Sequence, residues 1–425
     1  MKQLKQTKKW IITALSPQFI ETNVEYIESP YLIKEGNAVY NALTDEAVLI
    51  EDISKDRNEL IKRWFYIPKD LDVKTLSYLI RQKRVPRKEI YKGTFIIFTT
   101  TACNAHCKYC FEKGIETLTM SEQTANDVAD YIIKTAPKSS EIKIKWFGGE
   151  PLLNKKAMNI ISEKVKNAGI KYWCEISSNG DLLPNCTDDE LRLWNPRIIQ
   201  FTADSIGTEY DEIKGLLSGA YERLKKNIER LRKVDGIKVR INLRIHFDQK
   251  KNSDICYKII DEFKNYENVM PYVRLLYDET TEDDYKELLK IEDWMLKNLK
   301  NHPTLSFPSF TPGIHCMADN PTNACITPTG ELSPCEHYAY GEHLYGSIYS
   351  DKKNNDILRN WRAREKYQEK MCDSCPLYPA CRRIVKCPAK GVCSDGYQYY
   401  QIETIKRALR KKVEEINGRD SNTNN

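Results

Sequence analysis

Apolar and polar positions change period along the chain, and the changes mark its parts. Ala125, Val128, Ala129, Ile132 and Ile133 fall at i, i+3, i+4, i+7 and i+8, the one-sided stripe of an amphipathic helix. Thr119-Met120-Ser121-Glu122, just ahead of it, has the capping-box form. Ile142, Ile144 and Trp146 alternate with Lys143 and Lys145, which predicts a strand ending at Gly148-Gly149. Ala157, Ile160, Ile161 and Val165 make the next helical stripe. Further strands are expected over 94–100, 172–177, 198–202, 237–245 and 269–276, with helices over 216–234 and 253–265. Six strand–helix units in succession imply parallel strands with right-handed crossovers, hence an α/β fold built as an open or incomplete barrel. In such sheets ligand chemistry gathers at the carboxyl ends of the strands. The segment after Thr100, Gly148-Gly149-Glu150 and Ser178-Asn179-Gly180 all fall there.

The strand patterns carry one anomaly. Buried parallel strands read as continuous apolar runs, yet 142–146 and 237–245 alternate with charge. Either one sheet face is open, or Lys145, Arg240, Asn242 and Arg244 point into a polar cavity; the cavity is the expectation.

The flanks differ from this core. Residues 1–92 lack cysteine and read as a strand-rich stretch over 24–50, turning at Glu35-Gly36-Asn37, then helices over 57–64 and 73–82. The basic run 81–88 reads as a linker: a solvated loop, or a docking surface for an acidic peptide. After about 301 the chain becomes rich in Cys, Pro and Gly, and its short elements need metal sites as staples. An amphipathic helix is expected over 404–416 and a disordered polar tail over 417–425. The expected domains are therefore 1–92, 93–300, 301–403 and 404–425.

Composition narrows the class. The 425 residues are 41% hydrophobic and 30% charged, which excludes whole-chain disorder. No apolar run approaches the roughly 20 residues of a spanning helix, and a net charge of +6 is too small to argue for nucleic acid. Neither a membrane nor a nucleic acid is therefore expected as a partner.

The 14 cysteines change the picture more. Three lie within 103–110 and eight within 316–393, leaving Cys174, Cys186 and Cys256, which read as isolated plain thiols. The basic start carries only a short apolar core from Trp10 to Leu15 before Pro17, less than a secretory signal uses. It reads as an early strand. A cytoplasmic chain with reduced thiols is the expectation, and metal ligation leads over disulfides.

Cys103-Asn-Ala-His-Cys107-Lys-Tyr-Cys110 supplies three thiolates within eight residues, the ligand type of iron–sulfur clusters. Three thiolates leave one iron of a [4Fe-4S] cluster open to an exogenous chelator. Zinc with His106 as fourth ligand is the alternative, made awkward by His106 lying beside Cys107.

This spacing, C-x3-C-x2-C with an aromatic before the last Cys, resembles the radical S-adenosylmethionine (radical SAM) enzymes. Phe147-Gly148-Gly149-Glu150-Pro151 resembles the family's G-G-E motif and Ser177-Ser178-Asn179-Gly180 its T-N-G segment. Thr202-Ala203-Asp204-Ser205 resembles its S-L-D-G strand, and Lys214 stands where many members have Arg. The resemblance implies a partial (β/α)6 barrel. It also implies a cluster on Cys103, Cys107 and Cys110, with S-adenosylmethionine held by Gly148, Gly149, Glu150, Ser178, Asn179, Thr202, Lys214, Arg244 and Leu276. A one-electron reductant such as flavodoxin or ferredoxin would drive cleavage to a hydrogen-abstracting 5′-deoxyadenosyl radical. Lys214 keeps the charge of Arg but not its bidentate fork. Asp204 is a weak candidate for proton transfer, otherwise a cofactor or structural contact, and Tyr109 is expected to pack on the cluster.

The second cysteine region resembles the SPASM domain of peptide-modifying radical SAM enzymes, which implies two auxiliary [4Fe-4S] clusters. By the family's crossing pattern Cys316, Cys325, Cys335 and Cys387 would hold the first, Cys372, Cys375, Cys381 and Cys393 the second. A double zinc ribbon is the alternative. His315, His337 and His343 flank these sites as structural groups. The resemblance implies a maturase of a ribosomally made precursor peptide, with residues 1–92 as its leader-recognition module. It would form a thioether or carbon–carbon crosslink. Formylglycine formation by a sulfatase-type maturase is the runner-up, and a noncatalytic metal-stabilised adaptor the alternative of another class.

Overall fold

The structure, a computed structural model, describes residues 15, 17–50, 56–83, 93–137, 141–236, 238–251, 253–276, 281–299, 318, 322–362, 370–381 and 393–422. The early strand at Trp10, most of the basic run 81–88, His315, Cys316 and Cys387 lie outside the described residues. Two compact units form, one from 1–87, 304–315 and 363–425, the other from 88–303 and 316–362.

The first unit begins with β1 (Tyr26–Glu28), β2 (Leu32–Glu35), β3 (Ala38–Asn41) and β4 (Glu46–Leu49). β2, β3 and β4 form an antiparallel meander, turning between β2 and β3 where Gly36 takes φ +53°. α1 (Arg57–Lys62) is capped by the Asp56 carboxylate; β5 (Tyr66–Pro68) then pairs antiparallel with β1, and α2 (Val73–Lys83) follows. Tyr31, Ile33 and Tyr40 pack with Leu377, Ile405 and Leu409, so the core of this unit draws on both ends of the sequence. The last helix, Asp395–Asn422, starts earlier than the sequence pattern indicates and continues past 417. Its apolar stripe exists because the meander covers it.

The second unit holds six parallel strands, β6 (Thr94–Thr100), β7 (Ile142–Gly148), β8 (Tyr172–Ser177), β9 (Pro196–Ala203), β10 (Arg240–Phe247) and β11 (Val269–Leu275). They lie side by side in chain order, the partial (β/α)6 barrel expected from sequence. α3 (Glu122–Thr135) buries Ala125, Val128, Ala129 and Ile132, the predicted stripe. Its cap is Ser121, whose hydroxyl accepts from Thr124 N; the Thr119 hydroxyl instead pairs with Thr100 Oγ1 at 2.8 Å. The helix expected over 216–234 is shorter. α4 (Lys155–Asn167) and α5 (Asp188–Trp194) precede α6 (Gly207–Lys214), which ends on Gly215 at φ +59°. α7 (Ala220–Leu231) starts only after Gly219, which takes left-handed backbone at φ +81°. α8 (Asp254–Phe263) and α9 (Glu282–Asn298) complete the outer layer.

β12 (Ala324–Ile326) adds parallel to β6, with Cys325 opposite Ile96, and β13 (Glu331–Ser333) and β14 (Gly346–Ser347) continue antiparallel. The first part of the second cysteine region thus extends the barrel sheet. Within the sheet Lys145 is paired, its Nζ lying 2.8 Å from Glu336 and 3.8 Å from Glu175, and Tyr272 donates to Gln200 at 2.7 Å. Arg240, expected in the cavity, is exposed at the start of its strand.

Candidate functional site

The Cys103–Cys110 loop leaves β6 at its carboxyl end and is held by backbone on three sides. Gly149 N donates to Thr100 O (3.1 Å), Glu150 N to Ala102 O (2.9 Å), and His106 N to Lys214 O (2.7 Å). The approach is close enough to demand glycine. A Cβ on Gly148, which sits at φ +116°, would lie 2.2 Å from Thr100 O, and one on Gly149 2.2 Å from Ala102 O. Gly148-Gly149 is the seam along which the Cys loop lies on the second strand.

Glu150 is fully buried and ties that seam to the third strand. Its carboxylate accepts from Asn179 N (2.8 Å), Leu152 N (3.2 Å) and the Ser178 hydroxyl (3.0 Å). Burial pushes its pKa up to about 7, against the pull of those donors. Asn179 in turn donates to Asn104 Oδ1 at 2.8 Å and points the same amide at Cys103 Sγ, 3.8 Å away. Ala105 N also faces Cys103 Sγ at 3.4 Å.

At the fourth and fifth strands a buried polar network backs the loop. Asp204 pairs with Lys214 at 2.5 Å, their side chains 5% and 2% exposed. Tyr109 donates to Asp204 Oδ2 at 2.6 Å, and Lys214 donates to the Tyr109 and Thr202 hydroxyl oxygens at 2.7 and 2.5 Å. His246 Nδ1 bonds the other Asp204 oxygen. Burial opposes the Asp204 charge, but the Lys214 ammonium and His246 hold its pKa well below the carboxylate range. Burial lowers the pKa of His246, partly offset by Asp204, so the ring is neutral and its Nδ1 carries the proton.

Of the other expected residues, Arg244 has a buried Nε with no hydrogen-bond partner, and Leu276 N donates to Phe247 O at 3.0 Å. On the opposite flank Phe111 packs on His337 (4.6 Å between centroids) and Phe147 (6.4 Å). Glu112 has a buried Oε1 without a partner, and burial, then Glu336, pushes its pKa up to about 7. His246, Asn104 and Asp181, which accepts from Asn104 at 3.0 Å, escaped the sequence reading. His246 was within reach: it continues the alternation of Asn242 and Arg244, one residue past where the expected strand stopped.

Among the described residues no three His, Cys, Asp or Glu side chains converge on a single metal ion. A cluster asks for a different arrangement, with thiolates spread around it. Cys103, Cys107 and Cys110 provide that, partly exposed and each within electrostatic reach of another. The amides aimed at Cys103 are the hydrogen bonds that tune cluster sulfurs. The donor set fits a cluster with one open iron. Cys325 is fully buried with its thiol pushed well up by burial, beside Cys335. Cys372, Cys375, Cys381 and Cys393 are partly exposed in the first unit. Cys174, Cys186 and Cys256 are buried core thiols.

A parallel six-stranded α/β barrel with a three-thiol loop at its carboxyl rim defines a cluster-dependent enzyme class. Residues 97–250 match the Radical SAM superfamily, so this part of the chain carries a radical SAM domain. It is 24% identical over 302 residues to a GTP 3′,8-cyclase of Clostridium perfringens, spanning 65% of this chain and 91% of that one. It is 28% identical over 169 residues to the radical SAM cyclopropyl synthase TigE of Paramaledivibacter caminithermalis, 35% of each. Its fold resembles native anSMEcpe with bound AdoMet (TM-score 0.56, 14% identity, 76% of this chain and 99% of that one). It also resembles Streptococcus suis SuiB bound to precursor peptide SuiA (0.54, 13%, 88% and 100%). No helix among the described residues is long and apolar enough to cross a membrane.

Proposed function

We propose that this enzyme matures a ribosomally made precursor peptide, installing a thioether or carbon–carbon crosslink. The observation that carries the reading is the extent of shared architecture: 88% of the chain follows the fold of a protein solved with its precursor peptide. The Cys-free α+β segment over 1–92 is read as a leader-recognition module, and the β12–β14 extension bearing Cys325 and Cys335 supports a SPASM-type auxiliary region. A bound cluster and S-adenosylmethionine supply one-electron cleavage and a hydrogen-abstracting radical.

The chain's own residues do the rest. Cys103, Cys107 and Cys110 hold the open cluster. Gly148, Gly149, Ser178, Asn179 and Thr202 shape the cofactor cradle, with Glu150 bracing it from beneath. Arg244, with its unpaired buried Nε, offers the free cationic contact for a carboxylate, while Lys214 is committed to Asp204. Cys316, Cys325, Cys335 and Cys387, and Cys372, Cys375, Cys381 and Cys393, ligate two auxiliary clusters. A flavodoxin- or ferredoxin-type protein supplies the electron, in the cytoplasm.

The test is mass spectrometry of a precursor peptide encoded beside the gene, after incubation with reconstituted enzyme, reductant and S-adenosylmethionine. The reading predicts a peptide two hydrogens lighter that resists fragmentation between the joined residues. An unchanged peptide overturns it, and an aldehyde at a Cys or Ser points to formylglycine chemistry. The 302-residue alignment favours a nucleotide as the second reading; consumption of GTP in the same assay selects it.

A further inference from the structure

We propose that His246 is a positioning residue for the cluster loop, acting through Asp204 on the middle and the C-terminal end of Cys103–Cys110. The chain of contacts is short. His246 Nδ1 donates to Asp204 Oδ1. Asp204 Oδ2 accepts from Tyr109, which directly precedes Cys110, and from Lys214. The Lys214 carbonyl accepts from His106 N at 2.7 Å and lies 3.9 Å from Cys107 Sγ. The imidazole also meets the Tyr109 ring edge-on, centroids 5.1 Å apart at 75°. The inner members are buried: His246 is 7% exposed and Lys214 1%.

The electrostatics assign each group one task. Asp204 and Lys214 neutralise one another, so the network needs no further charge. A neutral His246 then serves as a pure donor whose proton sits on Nδ1, fixing the rotation of the Asp204 carboxylate about its own axis. With Oδ1 held by His246, Oδ2 faces Tyr109 and Lys214 together, which pins residue 109 and the end of α6 where the loop needs them. Removing the Nδ1 donor leaves Oδ1 buried without a partner, a costly state. The carboxylate then turns toward another donor, and the two loop anchors lose their shared acceptor.

Two near-isosteric replacements separate this role from packing. The amide nitrogen of His246→Asn can occupy the place of Nδ1, whereas that of His246→Gln falls near the place of Nε2. The full chain is prepared iron-free and amide exchange is followed for residues 104–110 and, as internal reference, for β7 and β8. His246→Asn is expected to keep near-parental protection. His246→Gln is expected to exchange about tenfold faster in 104–110, the scale of one lost buried hydrogen bond, with β7 and β8 unchanged. After anaerobic reconstitution to equal iron, the change in the reduced cluster's EPR spectrum on adding S-adenosylmethionine should persist in the Asn variant. It should be altered in the Gln variant. Equal protection in both variants, faster exchange spread evenly over the sheet, or a Gln variant better protected than the Asn variant would each overturn the proposal. Should the Gln variant not fold while the Asn variant does, the EPR response of the Asn variant decides: a parental response supports the assignment and an altered one refutes it.

Discussion

At the scale of single residues the site is built from buried charges whose states are set by neighbours. Glu150 is the clearest case. Its pKa, pushed from 4.5 up to about 7 by burial, means the folded chain binds its proton more tightly than the unfolded chain does. That contribution to stability is fully present below about 4.5 and is lost as pH rises through about 7. Thermal unfolding of the iron-free protein should therefore fall in midpoint across this window, and Glu150→Gln should flatten the fall while keeping an acceptor for Asn179 N. A parental slope in the variant would mean Glu150 is ionised throughout. Lys214→Met should be harsher. Leaving Asp204 buried and unpaired costs roughly 3–5 kcal/mol, readable as a lower denaturant midpoint with unchanged slope.

At the scale of elements, the expected parallel strands and their order are all present, because each apolar run and its following helical stripe are local signals. The rim residues that the resemblance implied, from Gly148 to Thr202, lie at or just beyond the carboxyl ends of those strands for the same reason. What the sequence hid is non-local or turns on a single residue. Lys214 reads as a free cation, and only the fold shows it enclosed by Asp204, Tyr109 and Thr202. The helix expected over 216–234 starts only at Ala220 because Gly219 takes left-handed backbone, which hydrophobic spacing does not reveal. The apolar positions of the last helix are visible in the chain, but their partners in β2 and β3 lie more than 350 residues away. The seam between β7 and the Cys loop gives a direct test at this scale. Gly149→Ala places a methyl against Ala102 O and should displace the loop, at a cost of about 1–3 kcal/mol, with reduced iron uptake on reconstitution. Iron uptake equal to the parent would show that the seam does not set the loop.

At the scale of the whole molecule, the second cysteine region is divided. Residues 324–347 extend the barrel sheet, while Cys372, Cys375, Cys381 and Cys393 fold with the N-terminal meander. The first unit is therefore stabilised from the far end of the chain. Leu409→Ala, at a fully buried position, should cost about 2–5 kcal/mol and speed amide exchange in β2 and β3 but not in β6–β11. The central claim, a radical SAM site on the three-thiol loop, is tested most directly by one assay. Anaerobically reconstituted protein is mixed with dithionite and S-adenosylmethionine, and 5′-deoxyadenosine is quantified. The parent chain is expected to release it, and the chain with Cys103, Cys107 and Cys110 changed to Ala to release none. Equal release from both proteins, or none from a parent chain carrying its full complement of iron, would contradict that claim.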